Sequence, residues 1–115
     1  MTFELVDLEE LGEKALEDFS VAVGRANPGA AEAIEDAVHS LVTKVEFTYA
    51  VAAKMAHREP TLEGTAAIWT KMLTICDQIA AQVKQLEWEH AGSQASFDRI
   101  LDLRNAAERR RDLHS

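Results

Sequence analysis

The chain has 115 residues, of which 47% are hydrophobic and 28% are charged, and its formal net charge is −8. This composition is typical of one globular domain and excludes a disordered chain. The negative charge argues against non-specific nucleic-acid binding, which depends on neutralising phosphates with lysine and arginine. Apolar and polar residues never alternate over the length of a strand, so the sequence predicts an all-α fold.

No stretch has the features of a membrane span or a secretory leader. Apolar runs stay well below the ~18 residues that a transmembrane helix needs. The first residues lack the basic and apolar regions of a signal peptide. We therefore expect a cytoplasmic protein. Its single cysteine, Cys76, falls on an apolar helical stripe and is expected to be a buried structural thiol.

The first predicted helix covers residues 3–23. Asp7 and Glu10 have the spacing of a capping box, and Gly24 is predicted to end the helix in the left-handed conformation. Acidic residues crowd its first turns, where the helix dipole favours negative charge. We interpret them as a solvated helix start, with an acidic docking surface as the alternative. Its apolar face is formed by Leu8, Leu11, Ala15, Phe19 and Ala22.

The second and third predicted helices, residues 28–58 and 62–91, fold back on each other as a long hairpin. Pro60 ends the first arm, and Thr61 or Thr65 caps the second. Apolar residues at alternating spacings of four and three predict a seam between the arms. The seam consists of Ile34, Val38, Leu41, Val45, Thr48, Ala52 and Met55 on the first arm and Ile68, Met72, Ile75, Ile79, Gln82 and Leu86 on the second.

The fourth predicted helix covers residues 94–113, after Gly92 ends the third. Its inner face is predicted to contain Phe97, Ile100, Leu101, Arg104 and Ala107. Arg109, Arg110 and Arg111 lie in the last turns, where cations complement the helix dipole; a basic recognition patch is the alternative. Short connections between four helices predict an antiparallel up-down-up-down four-helix bundle forming one domain over residues 1–115.

The predicted helices differ in length. The outer helices would each span roughly 30 Å and the hairpin arms about 45 Å. Beyond the level of Tyr49 and Lys71, the hairpin tip would therefore lack cover, and the tip is apolar. Exposed apolar surface of this kind marks an interaction site and predicts a symmetric homodimer; burial between the two arms is the alternative. The predicted interface residues are Val51, Met55, Leu62, Ile68 and Trp69.

Two pairs of residues have the spacing of metal ligands. They are Asp36 with His39 on the first arm and Glu87 with His90 on the second. Glu-x-x-His pairs on two helices, joined by carboxylates from the others, hold metals in some four-helix bundles. The predicted register places Glu87 and His90 about one turn away from the first pair. Ordinary surface residues are therefore the preferred interpretation, and no cofactor is expected.

No catalytic or cofactor-binding motif rises above background, so we expect a non-enzymatic protein-protein interaction module. An adaptor, a chaperone or an inhibitor would fit. In shape and acidity the predicted bundle resembles small bacterial immunity and antitoxin proteins, although no motif carries this likeness. The predicted partners are a second copy of the chain and a basic protein, with neither nucleic acid nor membrane. A metal-binding carboxylate/histidine bundle is the alternative function.

Overall fold

The computed structural model describes residues 3–25, 31–85 and 91–113. They form four α-helices, which are α1 (Leu5–Arg25), α2 (Ala31–Arg58), α3 (Leu62–Lys84) and α4 (Ala91–Leu113). No strand occurs among these residues, so the predicted all-α four-helix fold is confirmed. Within the same ranges, no helix combines the length and the apolarity needed to cross a membrane.

Two glycines that are predicted to end helices lie inside helices instead. Gly24 lies inside α1, which continues to Arg25, and Gly92 lies inside α4. Helix α3 is described to Lys84 with Gln85 as its C-cap residue, and the predicted continuation over 86–90 lies outside the described residues. A glycine near a helix end permits a stop without imposing one, because good helix formers such as Ala91 and Gln94 favour continuation. The predictions that Gly24 and Gly92 end helices are therefore wrong.

Local hydrogen bonds fix the starts of α1 and α3. The Glu4 backbone N–H donates to Asp7 Oδ2 over 2.8 Å, so Asp7 reaches back to cap α1 rather than opening a capping box with Glu10. At α3, Thr61 Oγ1 accepts from the Gly64 N–H over 2.9 Å. Thr61 is thus the cap of α3, and Thr65 instead donates its hydroxyl to the Thr61 carbonyl.

The core contains most of the predicted seam, although Gln82 is exposed and Leu86 lies outside the described residues. From the first arm Val38, Leu41, Val45, Thr48 and Ala52 are buried, and from the second Ile68, Met72, Ile75, Ile79 and Val83. Gly12 of α1 is also buried and faces Ile75 of α3, which lets the two helices approach closely. Leu8, Phe19 and Ile100 are the main contributions of the outer helices.

The two outer helices lie on opposite sides of the hairpin. Helix α1 packs against α2 and α3, helix α4 packs against the same two helices, and the described parts of α1 and α4 do not contact each other. Ion pairs join α1 to α2 through Asp18 and Lys44, and α3 to α4 through Asp77 and Arg104. The outer face of α1 is consequently not covered by α4.

The prediction that the hairpin tip lacks cover from the outer helices is wrong. Ala22 lies beside Ala37, so α1 is displaced toward the tip by about two turns relative to the predicted register. As a result Phe3 reaches Met55 and Ile68 near the end of the hairpin. On the other side, α4 brings Arg110 over Trp69. The protein's own helices therefore cover much of the surface that the sequence left open.

Candidate functional site

A groove of about 410 Å³ opens at the hairpin tip between the start of α1, the end of α2 and the first turns of α3. Met55 from one arm and Ile68 from the other lie together in it. Its apolar lining is completed by Phe3, Leu5 and Ala67. A concave apolar surface of this size, with a few charged groups around it, is the usual form of a binding site.

The turn beside the groove is held by one carboxylate. Glu59 Oε1 accepts hydrogen bonds from the Thr61 backbone N–H at 3.3 Å and from Thr61 Oγ1 at 2.9 Å. This side chain passes over Gly64, where an added Cβ would lie only 2.4 Å from Glu59 Cδ. Glu59 is therefore engaged within the turn, and Gly64 provides the space for it.

Two cations line the groove and lack such a partner. Lys54 and Arg58 are exposed one turn apart on α2, and neither makes an ion pair with any residue of the described ranges. Elsewhere on the same face, Lys44 pairs with Asp18 at 3.1 Å. Glu4 is the remaining carboxylate of the groove and is exposed. The groove thus combines an apolar floor with cations that are available to a partner.

Exposed apolar side chains also lie on α1 and α2, the two helices whose ends line the groove. Leu5 is 40% exposed and Val6 52% exposed at the start of α1, while Phe47 of α2 is 57% exposed. Phe47 precedes Lys54 by seven residues, or two turns, and so lies on the same side of α2 about 10 Å away. We call the groove together with Leu5, Val6 and Phe47 the tip surface.

The structure places the five predicted interface residues in different environments. Met55 and Ile68 both line the groove. Leu62 is 70% exposed at the first position of α3 but does not line the groove. Val51 and Trp69 are buried in the core, and Ile68 is only 4% exposed, so the expectation that these three lack cover is wrong. Their role in an interface stays a prediction.

An aromatic pair capped by a cation explains the burial of Trp69. The Tyr49 and Trp69 rings lie 5.2 Å apart between centroids, at an angle of 50°. The Arg110 guanidinium lies 5.0 Å from the Trp69 ring centre and 5.9 Å from that of Tyr49, within cation–π range of both. The sequence assigns Arg110 to the helix dipole or to a basic recognition patch and does not predict this contact, because the facing aromatic rings come from two other helices.

The predicted metal ligands are only partly described. Asp36 and His39 are both exposed on α2. Glu87 and His90 lie outside the described residues. Within residues 3–25, 31–85 and 91–113, no group of three or more histidine, cysteine, aspartate and glutamate side chains is arranged to hold a metal ion. The alternative function thus has no described site.

Cys76 is fully buried, as predicted. Burial, and secondarily the neighbouring charge of Asp77, raises the pKa of its thiol from 9.0 to about 12. The thiol is therefore protonated at neutral pH and is a poor nucleophile and a poor metal ligand. Its position supports a packing role.

Two contributors to the tip surface were missed in the sequence. The sequence predicts Phe3 as the first residue of a helix and not as part of a binding surface, because the predicted register ends α1 well short of the tip. Phe47 lies off the apolar seam of α2, and a large aromatic residue at a solvent-facing helical position was the signal that could have identified it.

Comparison of the chain with protein-family models, with curated proteins and with solved structures finds no match. The function is therefore argued from the groove and the exposed residues around it.

Proposed function

We propose that this protein is a non-enzymatic, cytoplasmic protein-protein interaction module that associates with a second copy of itself through the tip surface. The observation that carries the proposal is the apolar groove containing Met55 and Ile68, flanked by the exposed ring of Phe47. Exposed apolar groups that cluster around a concavity favour association with another protein surface, because association removes them from water.

The size of the tip surface bears on the kind of complex it supports. A stable protein interface buries on the order of 1,200–2,000 Å² in total. The groove alone is too small for this, but Phe47 lies two turns along α2, and Leu5 and Val6 extend the apolar area onto α1. That total counts both partners, so each copy in a two-fold symmetric dimer would contribute about half of it from the same patch.

Adaptor, chaperone and inhibitor roles all require this module to engage a further protein. The exposed cations Lys54 and Arg58 of the groove can pair with an acidic segment of a partner. A basic partner would instead meet the outer face of α1, where Glu10, Glu13 and Glu17 are exposed.

Sedimentation equilibrium of wild type and single variants in the micromolar range tests the proposal. Phe47→Glu changes an exposed residue of the tip surface, and we expect it to raise the dimer dissociation constant at least about tenfold. Val21→Glu is the matched control, because Val21 is 45% exposed near the other end of α1. Trp69 is unsuitable for this test, since a charge at a buried position would unfold the chain.

Each outcome of the sedimentation test either supports or contradicts the proposal. A wild-type dimer that Phe47→Glu weakens and Val21→Glu leaves intact supports the proposal. A wild-type monomer throughout the concentration range, or equal effects of the two variants, contradicts it. Circular dichroism of each variant confirms that the helices are retained.

A further inference from the structure

We infer that the tip surface of one copy is occupied by the acidic outer edge of α1 from a second copy, held by Lys54 and Arg58. The acidic edge is defined as Val6, Glu10, Glu13 and Glu17. This inference rests on the proposed self-association and adds to it the identity of the contacting segments and their charge pairing.

Two cations at the groove have no carboxylate partner among the described residues. Lys54 and Arg58 stand one turn apart at the groove, exposed, and neither pairs with a carboxylate within the described ranges. Glu59 is close in sequence but accepts two hydrogen bonds from Thr61. Both cations are thus available to a carboxylate of another molecule, and Glu4 is the remaining carboxylate of the groove.

The acidic edge of α1 carries the complementary negative charge. Its members recur at spacings of four and three, opposite the buried face that contains Leu8, Ala15 and Phe19. All four are exposed. Glu9 and Asp18, on the flanks of α1, pair with lysines of α3 and α2. By contrast, the three carboxylates of the acidic edge make no ion pair with the described residues.

The groove and the start of the acidic edge lie at the same end of the molecule, which allows a self-complementary contact. Leu5 lines the groove and its neighbour Val6 begins the acidic edge, so the two surfaces adjoin. A two-fold axis near this point lets each α1 edge meet the other copy's Lys54 and Arg58 at the same time. Helix α4 lies on the far side of the hairpin and does not contact α1, so it leaves this edge open.

The physical consequence is an association that depends on charge. Opposite charges across an interface fix its register and speed the encounter, whereas like charges brought together cost several-fold or more in affinity. Salt screens exposed pairs over roughly 10 Å at 0.1 M. The dimer should therefore weaken as the salt concentration rises.

Charge reversal in two complementary variants tests the inference. Lys54→Glu with Arg58→Glu makes the groove negative, and Glu10→Lys with Glu13→Lys makes the edge positive. We expect each double variant alone to raise the dissociation constant by at least about tenfold, because like charges then meet in both contacts. Mixed in equal amounts, the two variants should form a heterodimer, since opposite charges meet again in both contacts.

A matched control separates local pairing from overall charge. Arg25→Glu with Lys84→Glu makes the same change in net charge as the groove variant, at exposed positions at the other end of the bundle. This control should dimerise like wild type and should not form heterodimers selectively with the edge variant. Native mass spectrometry of the mixtures counts each species, and circular dichroism reports the fold.

Each result has a definite meaning. Wild-type-like dimers of both double variants, or a mixture that stays monomeric, overturn the inference while leaving self-association in place. A monomeric wild type overturns both. If a double variant loses its helices, the wild-type dissociation constant between low and high salt decides: a rise supports the charge pairing, and no change overturns it.

Discussion

The guanidinium of Arg110, near the end of α4, lies 5.0 Å from the centre of the Trp69 ring in α3. Trp69 is 1% exposed although it belongs to the hairpin tip, which the sequence predicts to lack cover. The last turns of α4 therefore close one side of the hairpin, and the groove beside α1 is the side that offers a binding surface.

Removing this cation should destabilise the protein. Arg110→Ala loses the cation–π contacts with Trp69 and Tyr49 and the packing of the arginine stem, so we expect the free energy of unfolding to fall by about 1–2 kcal/mol. Arg109→Ala, at the exposed neighbouring position, should change it by less than about 0.5 kcal/mol. Urea unfolding followed by circular dichroism measures both. Equal effects of the two variants would show that the contact contributes nothing.

The two glycines of α1 should respond in opposite ways to alanine. At Gly12 an added Cβ would lie 2.9 Å from Ile75 Cγ2, a buried atom, so overpacking should outweigh the gain in helix propensity and cost about 1 kcal/mol net. At Gly24 nothing lies within 4 Å, so alanine should stabilise α1 by up to about 1 kcal/mol. Thermal unfolding of the two variants is the measurement. A stabilising Gly12→Ala would contradict the close approach of α1 and α3.

Cys76 should be almost inert in the folded protein. Because burial raises the pKa of its thiol to about 12, little thiolate is present at pH 8, and the Sγ atom is also inaccessible. We expect an aromatic disulfide reagent to react with one thiol per chain at the rate of free cysteine only after denaturation. Rapid reaction under native conditions would mean that α3 and α4 separate readily.

Asp18 should contribute to stability only while it is ionised. Hydrogen bonds from Lys44 and then from Lys14 hold the pKa of Asp18 below its ordinary value of 3.8. The carboxylate therefore stabilises the folded state above pH 3.8, and this contribution is lost as the pH falls through the lower pKa of the folded protein. The melting temperatures of wild type and Asp18→Asn should differ most at neutral pH and converge in acid. Asp36→Asn, at an exposed position of α2 that makes no ion pair with the described residues, is the control; a difference that persists unchanged in acid would contradict the assignment.

The sequence predicted the interior better than the arrangement of the helices. Val38, Leu41 and Ile79 are buried because an apolar stripe at helical spacing is removed from water when that face of the helix packs against its neighbours. The position of α1 along α2 was not predictable in the same way, because a repeating stripe packs almost equally well after sliding by whole turns. The prediction that the hairpin tip lacks cover depended on that register and was therefore wrong.

The candidate site was predicted in part for the same reason. Met55 and Ile68 were identified from their place near the turn, and both line the groove. Phe3 closes the groove only because α1 lies further toward the tip than its connection suggested. The Arg110 contact joins three helices, and such a contact has no local pattern in the sequence.

The distance between tips in the assembled protein tests self-association through the tip surface most directly. Spin labels on His57→Cys, at the hairpin turn, and separately on Lys84→Cys, at the end of α3, report intermolecular distances by electron–electron double resonance; buried Cys76 should stay unlabelled. Since α3 is roughly 33 Å long, association through the tip surface predicts a short distance between labels at residue 57 and a separation of about 50 Å or more at residue 84. The reverse order of distances, or no intermolecular distance from either label, would contradict association through the tip surface.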